Sequence, residues 1–470
     1  MLARLLAAFL LCLALPAAAQ VLPPTVAQAL AAAKVPQGNV AILVQEANAN
    51  RAQLAVNSTT AMNPASVMKL VTTYASLELL GPAFRWKTEV HLTGERQGDV
   101  LAGDLVLKGG GDPKLDVESF WMLLRALRGK GLREIRGDLL LDRSYFEKSA
   151  EDAGRFDGDP FRPYNVLPDA LLLNYKSVRF AFVPEPAQKG VRLYVEPRSP
   201  SLEIANGLKL ADGPCPEGSA FREILKAQYE PAKARVAFLG QYPASCGEKD
   251  LNVALLPPDD HAAGMMRQYW TEIGGVWRGS SREGLAGASS TPFHVHDSEP
   301  LALIVRDTNK FSNNVMARHL FLTIGAETVG APANAAKSLA AIRQWLAKKG
   351  IPAPELVMEN GSGLSRQERI SAASLGAMLQ AAWRSPVMPE FMSSMPIAAA
   401  DGTMRRRLKG EGIAGQAHIK TGLLSDVRAM AGYVLDQKGR RQVVIMIVNH
   451  PNAHQTQGAM DALLRWVHSG

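Results

Sequence analysis

Apolar and polar residues change their spacing several times along the chain, and each change predicts an element of structure. Near the N-terminus the pattern predicts a short helix at 24–34 and two apolar strands, Val40–Val44 and Gln53–Val56. Apolar residues then recur at helical spacing from 67 to 77, until Gly81 and the proline after it stop the helix. Because this helix is apolar over much of its surface, we expect it to lie buried between layers.

The residue types before this helix predict how it begins. Asn63 is suited to an N-cap, and Pro64 is suited to the first helical position. Ser66 would then be the third residue after the cap, where backbone N–H groups lack partners within the helix. A free N–H at Ser66, together with the partial positive charge of the helix end, would favour a negative charge placed there.

From about Trp86 the apolar and polar residues alternate in shorter runs, which predict an insertion. Alternating runs predict strands at Lys87–Leu92, Asp104–Lys108 and Asp138–Asp142, and Asp116–Arg128 predicts an amphipathic helix. The stretch from about 178 to 255 is rich in strand-forming residues and interrupted by prolines.

Helical periodicity returns near Ser298 and continues through Leu320. Further helices are predicted at Asn334–Lys348 and Ala372–Trp383, strands at His418–Lys420, Met430–Leu435 and Val443–Val448, and a last helix at Gln457–Val467. Strands near both chain ends predict one antiparallel sheet with helices on both faces, from one end of which the insertion leaves.

Composition gives a globular chain of two or three domains. The chain has 470 residues, of which 47% are hydrophobic and 20% charged, too many residues for one ordinary core. The net charge is +8, but Lys and Arg are scattered without interleaved aromatic residues, so nucleic-acid binding is not predicted. The one tight basic run, Arg405–Arg407, is interpreted as a solvated face, and the positive net charge leaves attraction to an acidic polymer as an alternative.

The N-terminus has the pattern of a cleaved secretory signal peptide. Arg4 precedes an apolar stretch from Leu5 to Leu15, and Ala17–Ala19 form a small-residue cleavage site before Gln20. The alternative is a membrane-anchoring helix, for which the apolar stretch is short. The prediction is therefore an exported, periplasmic protein without a transmembrane anchor.

Two cysteines remain after removal of the signal, which contains Cys12. In an exported protein Cys215 and Cys246 are expected to form a disulfide, and two buried free thiols are the alternative. His294 and His296 alternate as in a strand, without a carboxylate–histidine helix motif. No metal and no other cofactor is predicted.

Three short motifs carry the chemistry, and the first is Ser66-Val67-Met68-Lys69. Ser66 and Lys69 are three residues apart and share a helix face. A neutral lysine can take the proton of a serine nucleophile, and burial or a second cation lowers a lysine pKa enough to make it neutral. Since the flanking helix is apolar, a solvated surface Ser/Lys pair is the poorer interpretation.

The other two motifs are Ser312-Asn313-Asn314 and Lys420-Thr421-Gly422, followed by Leu423. Ser312 is suited to relaying a proton, and Asn314 to binding a substrate amide or orienting Lys69. Lys420 and Thr421 offer a cation and a hydroxyl to a terminal carboxylate at a strand end. Gly422 would admit a substrate backbone, and the N–H of Leu423 would complete an oxyanion hole.

In this order the three motifs are those of penicillin-binding proteins and serine β-lactamases. The chain further resembles the D-alanyl-D-alanine carboxypeptidase/endopeptidases, the class C low-molecular-mass penicillin-binding proteins, in four segments: Gly109–Leu115 (GGGDPKL), Tyr164–Asn174 (YNVLPDALLLN), Gly361–Arg366 (GSGLSR) and Ala400–Thr403 (ADGT). The long gap between Lys69 and Ser312 singles out this class. In two departures, Leu423 replaces a common serine and Asn360 a common aspartate.

The resemblance implies an α+β fold: a penicillin-binding-protein/serine β-lactamase-like transpeptidase domain, an antiparallel sheet flanked by helices, with a large β-rich insertion. We expect a signal peptide at 1–19, a peptidase domain at 20–86 and 297–470, an insertion domain at 87–177 and 250–296, and a second β-rich insertion at 178–249.

The resemblance also implies an exported serine D,D-peptidase that hydrolyses D-Ala-D-Ala and D-Ala–diamino-acid cross-link bonds of peptidoglycan through a Ser66 acyl-enzyme. Peptidoglycan stem peptides and β-lactam antibiotics are the expected partners. An acidic residue of the insertion would read the diamino acid, and the choice among Asp152, Asp157 and Asp159 stays open. So do the balance of the two activities, the activator of the deacylating water and the oligomeric state, including a homo-oligomer.

Two rival functions have distinct tests. A serine β-lactamase usually has a far shorter gap between the first two motifs, and rapid turnover of β-lactams would identify one. A catalytically dead cell-wall binding protein would fail to attach a labelled penicillin, although every motif position is intact here.

Overall fold

The computed structural model of the protein describes residues 21–470. The predicted signal peptide at 1–19 lies outside the described residues. Within 21–470, no helix combines the length and the apolar character that crossing a membrane requires.

The elements fall into three consecutive groups. The first comprises α1 (Pro24–Ala32), β1 (Val40–Glu46), β2 (Leu54–Val56) and α2 (Lys69–Leu80). The second comprises β3 (Lys87–Leu92), β4 (Glu95–Gln97), β5 (Val100–Ala102), β6 (Leu105–Gly109), α3 (Val117–Gly129), β7 (Glu134–Ile135), β8 (Leu139–Asp142), β9 (Val178–Glu185), β10 (Gly190–Glu196), β11 (Glu203–Asn206), β12 (Lys209–Ala211), α4 (Ser219–Ile224), β13 (Ala227–Glu230), β14 (Arg235–Phe238), β15 (Gln241–Pro243), β16 (Lys249–Val253), α5 (Pro258–Glu272), β17 (Val276–Trp277), β18 (Ser281–Glu283) and β19 (His294–Asp297). The third comprises α6 (Leu301–Lys310), α7 (Asn314–Thr328), α8 (Ala335–Lys348), α9 (Ala372–Trp383), α10 (Met388–Ser394), β20 (Ala417–Leu423), β21 (Val427–Leu435), β22 (Arg441–Asn449) and α11 (Gln457–Ser469).

The first and third groups share one five-stranded sheet, in the order β2-β1-β22-β21-β20. Every neighbouring pair is antiparallel, and Leu43 of β1 lies opposite Ile445 of β22. This confirms the predicted sheet built from both chain ends.

Helices cover both faces of this sheet because its strands are apolar on both sides. In β1, Leu43 packs into a core with residues of α2 and α6 to α10, whereas Ile42 and Val44 pack into a second core with α1 and α11. Neighbouring residues of a strand point to opposite faces, so the unbroken apolar run in β1 supplies both layers. The α+β architecture with helices on both faces is confirmed.

The insertion departs from the peptidase domain in how its strands pair. In the sheet β18-β8-β6-β3-β19, β6 pairs with β8 in parallel, and α3 lies between them in the chain. Helices α3 and α5 pack on this part of the insertion. Neither the parallel pairing nor α5 was expected from the sequence. The pairing was missed because alternation alone does not distinguish parallel from antiparallel strands.

The second part of the insertion is β-rich, as predicted, and Cys215 and Cys246 form its disulfide. Its core is aromatic and includes Phe182, Phe238 and Tyr242. The predicted boundary between 249 and 250 falls inside β16, and β16 pairs with β9. The domain division remains a prediction, and we propose moving this boundary to Val253.

Buried and half-buried polar contacts dock the insertion on the helices that carry the second motif. Lys114 Nζ donates to Asp307 and to Glu299, both at 2.9 Å, on and just before α6. His319 of α7, which is fully buried, has its Nδ1 3.0 Å from the carbonyl oxygen of Gly111. The Gly109–Leu115 segment therefore fixes the insertion beside the motif at Ser312.

Candidate active site

The turn that carries Ser66 differs from the predicted helix start. Residues Ala65–Met68 form a 3₁₀ helix, and α2 begins at Lys69. Asn63 is therefore not the N-cap of an α-helix; its Oδ1 accepts from the N–H of Ala65 at 2.9 Å. Ala65 adopts a φ of +46°, which is uncommon for a residue with a side chain. The tighter turn leaves Ser66 half-buried at the end of a buried helix.

Lys69 connects the elements around Ser66. Its side chain is 0% exposed. The Nζ atom lies 2.9 Å from Ser66 Oγ, 2.6 Å from Asn314 Oδ1 and 2.5 Å from the carbonyl oxygen of Ser362. An ammonium has three donors, and these contacts use all of them. When Lys69 is neutral, two donors remain and the Ser66 hydroxyl is placed to donate to its lone pair.

The surroundings of Lys69 favour the neutral amine. Burial is the main cause that lowers its pKa well below the usual lysine value, and the charge of Lys420 lowers it further. Both causes were predicted from the sequence. The buried carboxylate of Glu368 acts in the opposite direction and raises the pKa of Lys69, a contribution that the sequence did not indicate.

Ser312 lies in the bend between α6 and α7 and faces the third motif. It adopts a φ of +56°, a conformation that costs energy in a residue with a Cβ and recurs at functional sites. The neighbouring Asn313 caps α7 by accepting from the N–H of Met316 at 3.1 Å. Ser312 Oγ accepts from Lys420 Nζ at 2.8 Å, so the second and third motifs meet directly.

Lys420 is as buried as Lys69 but stands among fewer charges. It is 0% exposed, and its second acceptor is the carbonyl oxygen of Thr421 at 2.8 Å. Burial lowers the pKa of Lys420 to about 7. Thr421 is half-buried, and its hydroxyl lies 2.8 Å from that of Thr403.

The rest of β20 lies close to the turn that carries Ser66. A Cβ at Gly422 would meet the carbonyl oxygen of Pro64 at 2.6 Å. The glycine is thus required by the protein's own backbone, and admission of a substrate backbone stays a prediction. Leu423 ends the strand with a side chain 57% exposed, and the role of its N–H also stays a prediction.

Residues 359–368 form a loop that contacts Lys69 through the carbonyl oxygen of Ser362. Gly363 has a φ of +80°, and a Cβ there would lie 1.9 Å from the carbonyl oxygen of Ala65. Sequence reasoning did not assign roles to Ser362, Glu368 or Thr403. The GSGLSR and ADGT segments contain Ser362 and Thr403, so the family resemblance was the signal for those two, whereas nothing pointed to Glu368.

A groove of about 770 Å³ lies between the second motif and the insertion. Ser312 and Asn314 line it, together with Tyr164 and Arg222 of the insertion. Phe311, next to Ser312, is 67% exposed beside it. The groove is large enough for several residues of an extended peptide.

The three acidic residues left open by the sequence differ in their surroundings. Asp157 accepts from the Tyr164 hydroxyl and from Asn165 Nδ2, both at 2.7 Å. Asp159 is ion-paired with Arg162. The carboxylate of Asp152 accepts from the N–H of Gly154 at 2.8 Å.

Asp152 alone of the three lines a second cleft, which reaches the GSGLSR loop. This cleft is small, about 90 Å³, and Phe156 and Arg366 line it as well. The Arg366 guanidinium stands 4.9 Å from the centre of the Phe156 ring and also pairs with Asp426. Among residues 21–470, no group of three or more histidine, cysteine, aspartate or glutamate side chains is arranged to hold a metal ion.

Comparisons with known proteins show what the chain is similar to. The sequence profile of the D-Ala-D-Ala carboxypeptidase 3 (S13) family matches residues 22–469. The D-alanyl-D-alanine carboxypeptidase of Actinomadura sp. (strain R39) is 30% identical over 409 residues, which are 82% of this chain and 73% of that protein.

Two solved structures share the fold. The crystal structure of penicillin binding protein 4 (dacB) from Haemophilus influenzae has a TM-score of 0.76 at 23% identity and covers 93% of this chain and 99% of its own. A structure of the same protein complexed with a novel β-lactam has a TM-score of 0.73 at 22% identity, with 94% and 99% covered.

Proposed function

The chain belongs to the D-Ala-D-Ala carboxypeptidase 3 (S13) family, and from this membership we propose that it hydrolyses D-Ala-D-Ala and D-Ala–diamino-acid bonds of peptidoglycan through an acyl-enzyme on Ser66. Family membership itself makes the chain a serine-type D-Ala-D-Ala peptidase of the penicillin-binding class. The proposed acyl-enzyme mechanism is supported by the contacts from Lys69 Nζ to Ser66 Oγ, Asn314 and Ser362.

Acylation begins when Ser66 Oγ attacks the carbonyl carbon of the penultimate D-alanine. Lys69, neutral at that moment, takes the hydroxyl proton across the 2.9 Å contact, and Asn314 keeps its amine in place. The oxyanion forms beside the N–H groups of Ser66 and Leu423, which we assign as its donors. The oxyanion then collapses: the carbonyl double bond re-forms, the C–N bond breaks, and the ester on Ser66 remains.

The leaving amine needs a proton, and we assign Ser312 to pass it on. The proton that Lys69 took from Ser66 reaches the amine through the Ser312 hydroxyl, which accepts from Lys420 Nζ at 2.8 Å, so Lys69 is neutral again once the amine has left. Water then attacks the ester, Lys69 takes one of its protons, and that proton passes to Ser66 Oγ as the ester C–O bond breaks. Lys69 thus acts first as a base and then as an acid in each half of the reaction, and the shortened peptide leaves.

Lys420 and Thr421 are proposed to hold the C-terminal carboxylate of the substrate. A cation in a buried site gains much from an anion, because little water screens the pair. The Thr421 and Thr403 hydroxyls, 2.8 Å apart, offer further donors. An anion there would also raise the pKa of Lys420 above about 7 and keep the lysine charged when substrate is bound.

The groove of about 770 Å³ supports action on cross-links as well as on single stems. Ser312 and Asn314 line it together with Tyr164 and Arg222 of the insertion, and its volume exceeds what one terminal D-alanine would fill. We propose that it receives part of a second peptide when the bond cleaved is a cross-link.

Asp152 is proposed to read the amine of the diamino acid. Asp157 and Asp159 are held by side chains of their own loop, whereas Asp152 accepts from the backbone N–H of Gly154 and lines the cleft together with Arg366. An Asp152→Asn variant should lose preference for substrates with a free side-chain amine, and Asp159→Asn is the matched control. Equal loss of preference in both variants would remove the assignment.

Export to the periplasm and acylation by β-lactams complete the proposal. The N-terminal pattern of residues 1–19 supports export. Acylation by β-lactams is supported by the reported β-lactam complex of the H. influenzae protein with the same fold and by the motifs at Ser66, Ser312 and Lys420.

The test is the release of D-alanine from a peptide ending in D-Ala-D-Ala, and of monomers from cross-linked dimers. Wild-type protein should do both, and Ser66→Ala should do neither. Release of D-alanine by Ser66→Ala at the wild-type rate would contradict the proposed nucleophile. Rapid hydrolysis of penicillin without peptide cleavage would instead support a β-lactamase.

A further inference from the structure

Glu368 is the most deeply buried carboxylate near the site, and the mechanism above gives it no role. Its side chain is 0% exposed. The Oε1 atom accepts from the N–H groups of Glu359, Asn360 and Gly361 at 3.3, 3.1 and 3.0 Å. The Oε2 atom is buried without a hydrogen-bond partner within the described residues. A buried carboxylate without an ion pair is costly, so its retention calls for a physical reason.

The three N–H groups that Glu368 binds belong to the segment that ends at Ser362. The carbonyl oxygen of Ser362 accepts from Lys69 Nζ at 2.5 Å. Asn360 braces the same turn: its Oδ1 accepts from the N–H and from the Oγ of Ser362 at 3.0 and 2.6 Å, and its Nδ2 donates to the carbonyl oxygen of Leu364 at 3.1 Å. Glu368 and Asn360 together thus determine where the Ser362 carbonyl meets the lysine.

Charges reach Lys69 from three elements. Lys420 on β20 and Arg318 on α7 are cations and lower the pKa of Lys69, whereas Glu368 is the anion that raises it. Burial raises the pKa of Glu368, and the three N–H groups together with Lys69 oppose that shift. Lys69 and Glu368 thus each favour the charged form of the other.

The position of the charge explains the departure at Asn360. An aspartate at this position would place a carboxylate in this segment itself. Here position 360 carries a neutral amide, and the carboxylate of Glu368 approaches the same backbone from eight residues later. An aspartate in place of Asn360 would add a second carboxylate near that of Glu368, and the two negative charges would repel each other. It would also lack the Nδ2 group that donates to the carbonyl oxygen of Leu364.

We propose that Glu368 is a positioning residue for Lys69: its carboxylate folds residues 359–362 so that the Ser362 carbonyl meets the lysine, and it supplies the negative charge that an aspartate in place of Asn360 would otherwise supply. This inference rests on the proposed function, because it assigns Lys69 the role of proton acceptor. Glu368 does not touch the substrate; it acts through the loop and through its charge.

The test measures the rate of acylation by a fluorescent penicillin as a function of pH. Glu368→Gln removes the charge and keeps the shape, so the pKa of Lys69 falls further. The acidic limb of the profile should move to lower pH by about one unit or more, and the plateau rate should fall because a weaker base accepts the proton. One unit changes the neutral fraction on that limb about tenfold.

Two further variants make the test specific. Glu355→Gln is the matched control, because the Glu355 carboxylate also accepts from a backbone N–H and a hydroxyl, those of Ser371 and Ser374, but is not among the charges that act on Lys69. It should leave the acidic limb in place. Asn360→Asp/Glu368→Gln moves the charge to position 360 and should return the limb toward the wild-type pH, whereas Asn360→Asp alone should lower the Tm.

The outcomes separate this inference from the proposed function. An unmoved limb in a folded Glu368→Gln variant would overturn it, and so would an equal shift in Glu355→Gln. If Glu368→Gln does not fold, the double variant should fold with a wild-type limb, and its failure to do so would also overturn the inference. Absence of acylation in the wild-type protein would instead contradict the proposed function.

Discussion

The peptidase domain buries several charged groups around Ser66, whereas the ion pairs in the disulfide-bearing part of the insertion lie near the surface. Around Ser66, the side chains of Lys69, Lys420 and Glu368 are all 0% exposed. In the insertion, Arg235 pairs with Glu203 and with Glu230 at the surface, around an aromatic core. Surface pairs contribute little to stability, and buried charges lower it unless they are compensated.

This difference in the burial of charged groups indicates what each region contributes to stability and to function. Under the proposed mechanism, the peptidase domain retains buried charges because acyl transfer uses a neutral lysine beside a second cation. The insertion relies on apolar packing and on one covalent cross-link. Substitutions in the first region should therefore change activity more than stability, and those in the second should do the reverse.

Ser66→Ala should produce the largest change in activity and sharpen the contrast most. It removes only a half-buried hydroxyl, so the fold should persist with a nearly unchanged Tm. Peptidase activity should fall by about 10³-fold or more, as is usual for a lost nucleophile. The measurement is D-alanine release by variant and wild type at equal concentration, and a comparable loss of Tm would contradict the separation of roles.

Lys420→Ala should have the second largest effect on activity. Truncating one partner of a buried charge pair typically costs about 2–5 kcal/mol, here in binding a peptide with a free C-terminal carboxylate. The measurement compares kcat/KM for that peptide with kcat/KM for its C-terminal amide. The loss should be confined largely to the carboxylate, and equal kinetics of wild type and variant on both peptides would refute the anion-binding role.

Two conservative variants refine the prediction at this position. Lys420→Arg should restore only part of the activity, because a planar guanidinium presents its donors differently from an ammonium. Thr421→Val should act in the same direction as Lys420→Ala but more weakly, since it removes a neutral hydrogen bond. A larger loss in Thr421→Val than in Lys420→Ala would reverse the assigned roles.

Removing the disulfide should show the reverse pattern. Cys215→Ser/Cys246→Ser opens a cross-link between residues 31 apart, which the chain-entropy account values at roughly 3–4 kcal/mol as an upper figure. Unfolding in urea should shift accordingly, while penicillin acylation at a temperature where the protein is folded should hardly change. A large loss of acylation in the folded variant would show that this part of the insertion acts on the site directly.

Gly363→Ala should give the smallest effect and tests whether the loop and the nucleophile turn form one unit. The added Cβ would lie 1.9 Å from the Ala65 carbonyl oxygen, at a φ of +80°, so stability should fall by about 1–3 kcal/mol. Acylation of Ser66 should slow as its turn shifts. Gly458→Ala is the control, because nothing lies within 4 Å of a Cβ there, and equal behaviour of the two variants would contradict the account.

The central sheet and the three motifs could be predicted because each depends on local patterns. Apolar runs such as that of β1 and helical spacing through α2 reflect burial, which sequence periodicity records. The motif positions followed from family resemblance, and the structure brings Ser66, Lys69 and Asn314 into contact, and Ser312 and Lys420 likewise.

The remaining parts depend on contacts that no local pattern records. The helix start at Asn63 was wrong because the side chain bonds the Ala65 N–H and the turn tightens into a 3₁₀ helix. Glu368 escaped notice because a glutamate in a polar loop predicts solvent exposure. Its burial results from the three backbone N–H groups that it binds and from the fold around Lys69.

The most direct measurement of the central claim is mass spectrometry of the protein after reaction with penicillin. The account predicts that the protein gains the mass of one penicillin and that, after digestion, the added mass lies on Ser66 in the peptide containing Ser66-Val67-Met68-Lys69. It also predicts no adduct in Ser66→Ala. An adduct on any other residue, or an equal adduct in Ser66→Ala, would contradict it.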